Sequence, residues 1–385
     1  MKWHIVVPLF VMSVHFLFTL LAIVRKRYFK NAIKKEASDF TPSLNVFVPC
    51  KGWNKDLNTY LRSVLNQNYH NYKVIFITES EKDQANIEIA KLLKEYDNAY
   101  HVISGITETC GQKNHNLLKA IEKYSDCDIF VFCDSDLLFE KYWLSDLVKP
   151  FKNKQISFSS SFYSVEAQKN KGLTSTFYSG FSFYSLMMLF GTGSVWGGSM
   201  AIRKSSFEKS EIAELWKKAV VDDVSLSKLV KKINEKVFVV YPNGLKSIMG
   251  DGTSFRNVFK WCKRQIMYIK YYLRIYWLLS LFIYIPITLS MMSLPVLLVV
   301  SFLKNSVMPE LLAYSIVFIM VMLNNILVIL MNEEKLTIRQ FIYVLPVFMV
   351  VSYSFILTVF TNKLHWAGYI YKMKFNGEVK SIELA

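Results

Sequence analysis

Hydrophobic positions fall into two kinds of run along the chain. Near the amino end, the 21 residues from His4 to Val24 carry no formal charge when their histidines are neutral, enough for one helix across a bilayer. Three comparable runs, Trp277 to Leu303, Leu311 to Met331 and Phe341 to Phe360, lie toward the other end, separated by segments carrying Lys304, Glu310 and Asn332 to Lys335. Pro286 and Pro295 fall inside the first of these. It reads as one long span or a re-entrant pair, because proline kinks or breaks a helix. Between the two sets the pattern changes to short apolar runs alternating with helical spacing. Leu44 to Gly52, Tyr72 to Ser80, Ala99 to Ser104 and Ile129 to Cys133 predict strands, and Leu57 to Tyr69, Asn86 to Tyr96 and Asn116 to Tyr124 predict helices. Strands apolar on both faces in a βα alternation imply an α/β fold, a mostly parallel Rossmann-like sheet with right-handed crossovers.

The expected organisation is an anchor over 1–24, a soluble α/β domain over 31–254, an interface helix over 255–276, C-terminal membrane helices over 277–363 and a cytosolic tail over 364–385. A basic cluster of Arg25, Lys26, Arg27, Lys30, Lys34 and Lys35 follows the anchor. A secretory signal would put its charge before a shorter apolar stretch, so the anchor reads as uncleaved. The positive-inside rule then places the domain on the cytoplasmic face of the cytoplasmic membrane. The five cysteines show no CxxC spacing and read as buried free thiols. The formal charge is +16, but no nucleic-acid motif accompanies it, and anionic lipid and a phosphorylated small molecule are the better partners.

Candidate chemistry lies at the predicted strand ends, where ligands of open α/β sheets bind. Lys51 and Gly52 follow the first strand, Glu79 and Asp83 the second, Lys113 the third, and Asp134 and Asp136 the fourth. Lysines suit phosphate and paired carboxylates suit a hard divalent cation, so this edge fits a nucleoside diphosphate with its metal. Lys113 also stands at a helix amino end, where amide groups attract phosphate. Trp196, Gly197 and Gly198 precede a short strand, and glycine there lets the backbone approach a ligand or another chain. Asp222 and Asp223 open a helix; capping accounts for one, and the other is left for proton chemistry. From Phe255 to Trp277, basic residues interleave with aromatic ones, as in a helix lying at a membrane surface with its cations toward phosphate.

In this order the motifs resemble glycosyltransferase family 2, and within it the membrane-bound ceramide glucosyltransferases and their bacterial relatives. The resemblance implies a GT-A nucleotide-sugar fold and inverting transfer from a UDP-sugar, UDP-glucose first, to a ceramide-like or glycerolipid hydroxyl. It implies that the DSD stretch meets the donor through Asp134 and Mg²⁺ or Mn²⁺ through Asp136, with Asp134 assisting. Lys113 inherits a phosphate contact, Lys51, Glu79 and Asp83 donor contacts, and Asp223 the general base beside Asp222. The family's QxxRW-type motif is altered here: one register runs over Arg264, Gln265 and Tyr268, and another ends at Trp261. With Trp196, Gly197 and Gly198 these form the expected acceptor and diphosphate region. The tail resembles the family's WRG segment with Ala367 in place of arginine. A processive polysaccharide synthase of the same fold, and a non-catalytic nucleotide-sugar-binding membrane protein, are the alternatives.

Overall fold

The computed structural model describes residues 2–34, 40–161, 164–166, 194–240, 246–248, 255–331, 341–342 and 344–385. In chain order these form α1 (Trp3–Lys34), β1 (Leu44–Pro49), α2 (Leu57–Leu65), β2 (Tyr72–Thr78), α3 (Ala85–Glu95), β3 (Ala99–Ile103), α4 (Gln112–Lys123) and β4 (Ile129–Cys133). There follow α5 (Trp143–Val148), β5 (Phe158–Ser160), β6 (Ser164–Glu166), β7 (Ser199–Arg203), α6 (Lys204–Lys209), α7 (Ile212–Trp216), α8 (Asp223–Lys232), β8 (Val237–Val239) and β9 (Lys246–Ile248). The remainder is α9 (Phe255–Tyr272), α10 (Arg274–Leu303), α11 (Pro309–Met331), α12 (Val344–Val359), β10 (Lys363–Trp366), β11 (Tyr369–Met373) and β12 (Val379–Leu384). Two compact units result: a sheet unit from the described residues of 26–166, 188–248 and 362–385, and a helical unit from those of 1–25 and 249–361.

The main sheet has seven strands in the order β3-β2-β1-β4-β7-β5-β8. It is parallel from β3 to β4, and β7 enters antiparallel between β4 and β5. Every residue of β4 is buried, which accounts for its unbroken apolar run. Ile129, Val131 and Cys133 join Leu44, Val46 and Val48 in the core on one face. On the other, Phe132 stacks on Phe47 at 5.5 Å and meets the Trp216 ring edge-on at 5.3 Å. The mostly parallel α/β expectation matches, with some shorter elements. Helix α2 ends at Leu65, short of Tyr69, whose hydroxyl donates to Pro42 O at 2.7 Å.

Residues 363–384 are drawn into the sheet unit as an antiparallel meander, β10-β11-β12. Lys218 O accepts from Val379 N at 2.9 Å, and Ala219 pairs with Glu378 across an isolated bridge. The tail therefore has tertiary partners of its own.

In the helical unit, α1, α10 and α11 are long and apolar enough to cross a membrane, and α12 is shorter. Met12, Ile287, Met291, Val317, Val321, Val344 and Phe348 share one apolar cluster. Helix α1 runs in the same direction as α11: Lys2 pairs with Glu310 at 2.8 Å and Thr19 bonds Asn324. Helix α12 runs opposite to α10, with Trp277 Nε1 donating to Thr358 Oγ1 at 3.1 Å and Thr288 bonded to Ser352 at 2.8 Å. Helix α10 is continuous through both prolines rather than a re-entrant pair. Ser290 Oγ donates to Pro286 O at 2.6 Å near the first of them, in keeping with prolines that neighbouring groups make tolerable in apolar helices.

Helix α9 buries Val258, Cys262 and Ile266 at i, i+4 spacing and exposes Arg256 and Lys260. Lys270 departs from the expected outward array of cations. Its ammonium donates to Thr361 O at 2.8 Å and to Thr358 O, satisfying carbonyls at and just beyond the end of α12. All five cysteines are buried and unbridged. The side chains of the basic cluster after the anchor, and Asn332 to Lys335, lie outside the described residues.

Candidate active site

The carboxyl edge of the parallel strands gathers its charges in two groups. In the first, Lys113 near the start of α4 meets Asp134, directly after β4, and Asp222, directly before α8. Lys113 Nζ lies 2.7 Å from Asp134 Oδ1, 3.0 Å from Asp222 Oδ2 and 3.4 Å from Gly197 O. The Asp222 contact is an ion pair without hydrogen-bond geometry.

Local packing forces this meeting. A Cβ on Gly111 would stand 1.8 Å from Val220 O, so only glycine lets the start of α4 dock there. Gly111 N and the buried Asn114 amide both donate to Ala219 O, at 2.9 and 3.0 Å. A Cβ on Gly197 would lie 2.4 Å from Asp222 Oδ2. The close approach expected of this glycine is thus made to the protein's own carboxylate. Gly198 O accepts from Asp134 N at 3.4 Å, and Trp196, half-buried, is held by its amide to Ser160 Oγ at 2.9 Å. Behind it a buried polar row, Ser160, Ser161, Ser199 and the Trp143 indole, is mutually hydrogen-bonded. Ser160 and Ser161 are neighbours in the chain, but nothing in the sequence joins them to Trp143 and Ser199.

The two acids before α8 differ in environment. Asp222 is 2% exposed and its side chain makes no capping hydrogen bond. Its carboxylate is turned inward, against Lys113. Asp223 is half-buried, with Oδ1 accepting from Val224 N at 2.6 Å and Oδ2 from Gly197 N at 3.1 Å. Burial, then the negative charge of Asp222, raises the Asp223 carboxyl to about 6, against the opposing pull of Lys113 and the two amides. Burial alone would lower the Lys113 ammonium, but Asp134, Asp222 and Asp223 outweigh it and raise it above the usual lysine range.

The second group joins Lys51, after β1, to Glu79, after β2, at 2.8 Å. Asp83 does different work: its Oδ1 accepts from Gly52 N at 2.8 Å and Ala85 N at 2.9 Å, tying the turn after β1 to the first turn of α3. Glu79 is the acid that faces the strand-end lysine. Tyr369 of β11 completes this group, with Lys51 Nζ 4.5 Å from its ring centroid. Tyr371 Oη accepts from Gln112 N at 3.2 Å. Two amides at the start of α4, those of Gly111 and Gln112, are therefore bonded within the protein, which limits the amide attraction for phosphate expected there. The tyrosines were missed because the tail was read apart. Their alternation at 369 and 371, both buried, is the period-two signal of a strand.

Asp134 is about one-third exposed at 36% and Asp136 is exposed, in the turn just beyond β4. Among the described residues no group of three His, Cys, Asp or Glu could hold a metal. A cation that keeps several waters and takes substrate phosphates needs only one or two protein carboxylates. Around Lys113, three carboxylates face one ammonium, a negative surplus of the kind a divalent cation balances. Asp134 is one of those three, and carboxylate oxygens such as its own and those of Asp136 have the chemistry such an ion takes. Arg264, Gln265 and Tyr268 belong to α9 in the helical unit, where Tyr268 is buried and the other two are half-buried.

The sequence model of glycosyl transferase family 21 matches residues 7–379, nearly the whole chain. That number replaces the 2 of the motif resemblance. No curated protein matches the chain. Among solved structures, the mannosyltransferase PcManGT from Pyrobaculum calidifontis, in complex with GDP-Man and Mn²⁺, has TM-score 0.52 and 13% identity, covering 93% of this chain and 98% of that one. The shared GT-A fold follows from it. Glucosyl-3-phosphoglycerate synthase from Mycobacterium tuberculosis, in complex with Mn²⁺, UDP-Glc and phosphoglyceric acid, has TM-score 0.41 and 14% identity, covering 61% of this chain and 85% of that one.

Proposed function

The chain belongs to glycosyl transferase family 21, and from that premise we propose that this glycosyltransferase moves glucose from UDP-glucose, with inversion, to a hydroxyl of a ceramide-like or glycerolipid acceptor. The observation that carries the reading is Lys113 held between Asp134 and Asp222, with the half-buried Asp223 beside them. Such a cluster at strand ends supplies a cation for a departing diphosphate and a base for an incoming hydroxyl.

Asp223 takes the acceptor proton. Two amides fix its orientation, and a carboxyl raised to about 6 makes a better base near neutral pH than an ordinary aspartate. Asp222 keeps Lys113 charged and in place, and Lys113 meets the leaving phosphate. Lys51 and Glu79 bind the donor, and Asp83 shapes the turn that carries Lys51. Mg²⁺ or Mn²⁺ would be held by Asp134 and Asp136 and would supply charge neutralisation of the diphosphate. The complex of the Pyrobaculum mannosyltransferase with GDP-Man and Mn²⁺ is in keeping with that choice.

Three helices of membrane-crossing length and the amphipathic α9 support a lipid acceptor. Within the sheet unit, Trp196, Gly197 and Gly198 are assigned to the diphosphate side. The sheet unit faces the cytoplasm from the cytoplasmic membrane, where nucleotide sugars are made.

The test incubates the full chain in vesicles of mixed lipids with a panel of labelled nucleotide sugars, with MnCl₂, MgCl₂ or excess EDTA, and reads the products by lipid mass spectrometry. The expected product is one sugar on one lipid, formed from UDP-glucose and lost in EDTA. A long polymer would favour the processive synthase. Donor binding with no transfer to any lipid would favour the binding protein, and full activity in EDTA would remove the metal.

A further inference from the structure

Tyr369 is only 4% exposed, yet it lies beside the two most prominent strand-end charges outside the Lys113 cluster. Its ring carries the Lys51 ammonium at 4.5 Å, and its hydroxyl hydrogen-bonds Glu79, which itself pairs with Lys51 at 2.8 Å. Each member of this triad therefore touches both others. The turn ahead of it explains how a residue so far along the chain arrives there. Trp366 pairs with Tyr369 across a two-residue hairpin whose centre, Ala367 and Gly368, has φ of +50° and +83°. Two positive φ values in succession make the tight turn that matches strand twist. It sets Gly368 close enough that a Cβ there would lie 4.0 Å from Lys51 Nζ.

The meander reaches two further parts of the edge. Gln112 N, next to Lys113, donates to Tyr371 Oη, and Val379 N donates to Lys218 O, shortly before the acid pair. Lys51 and Glu79 are long side chains with several rotatable bonds, and unrestrained they would lose conformational entropy on meeting a ligand. A buried aromatic ring under the ammonium and a hydroxyl on the carboxylate remove that freedom beforehand.

We propose that Tyr369 is a positioning residue of the donor site, carried there by the hairpin of the C-terminal meander. Through its ring on Lys51 and its hydroxyl on Glu79, Tyr369 presets the two charges that receive the nucleoside diphosphate. This inference rests on the reading of Lys51 and Glu79 as donor contacts.

The experiment measures UDP-glucose affinity by calorimetry on the full chain in detergent with MnCl₂. Tyr369→Phe keeps the ring and loses the hydroxyl, and is expected to weaken binding by about tenfold, the scale of one hydrogen bond to a charged group. Tyr369→Leu loses both contacts and weakens it further. Val379→Ala removes a buried side chain of the same meander that touches neither charge, and is expected to lower the melting temperature with affinity kept. In a Glu79→Gln background, Tyr369→Phe should have a much smaller effect, which a merely structural role would not produce. If Lys51→Met and Glu79→Gln weaken binding while Tyr369→Phe and Tyr369→Leu do not, the positioning role is overturned and the donor reading stands. If Lys51→Met and Glu79→Gln leave the affinity unchanged, the donor reading of this edge fails, and the inference with it. Equal weakening by Val379→Ala and Tyr369→Leu would reduce the effect to meander stability and overturn the inference.

Discussion

The sheet unit and the helical unit treat buried polar groups in opposite ways. At the sheet edge Lys113, Asp134, Asp222 and Asp223 crowd together, a surplus of negative charge around one ammonium. In the helical unit, polar contacts between the apolar helices include uncharged pairs: Thr19 with Asn324, Thr288 with Ser352, Trp277 with Thr358. Burying charge is costly unless it is paired, and a surplus cannot be fully paired by the protein itself. The sheet unit keeps an imbalance where a ligand can answer it. These contacts of the helical unit join uncharged groups, as suits polar groups that hold apolar helices together.

The largest test of that contrast is at the base. Asp223→Asn is expected to lower single-turnover transfer by roughly two to four orders of magnitude, the scale of general-base loss, with UDP-glucose affinity largely kept. A small effect would move proton removal elsewhere. Next comes Asp136→Asn, which removes one proposed metal ligand and should cost about 2–4 kcal/mol of transition-state stabilisation. Near-normal turnover in that variant would show that the surplus charge does not serve a cation.

A pH profile sharpens the comparison further. The base must be ionised, so the rate should rise with pH through the Asp223 carboxyl near 6. Asp222 raises that carboxyl by its negative charge, so Asp222→Asn should move the acid limb to lower pH. An unchanged limb would mean that the two acids are not electrically linked during turnover. The smallest effect is expected in the helical unit. Asn324→Leu removes the partner of Thr19 and should cost about 1 kcal/mol of stability, read by thermal unfolding, while turnover of the folded protein stays the same. A large loss of turnover would give that neutral site a functional role.

How much of this was legible in the chain depends on distance along it. Ile129 to Cys133 is apolar on both faces, and that local pattern was enough to place β4 and the acids after it. The family's motif order carried the proposed roles. What remained hidden was pairing between remote segments. Lys113 meets Asp222 across 109 residues (222 − 113) and Gln112 meets Tyr371 across 259. Periodicity reports only which face of an element is apolar, never which other element covers it. The same limit left Asp222 and Asp223 alike until packing against Gly197 and Lys113 separated them. It also left α10 ambiguous at its prolines, since the groups that make a proline tolerable come from neighbouring side chains.

The folding of residues 362–385 into the sheet unit makes that unit discontinuous in sequence. Its last three strands are synthesised only after the residues of the helical unit that precede them, so during growth of the chain, which folds from its amino end first, the sheet unit waits for its final segment. Val379 N on Lys218 O and Gln112 N on Tyr371 Oη then tie the first and last segments together. The strand that brings Tyr369 to Lys51 is thus among the last parts of the unit to be made.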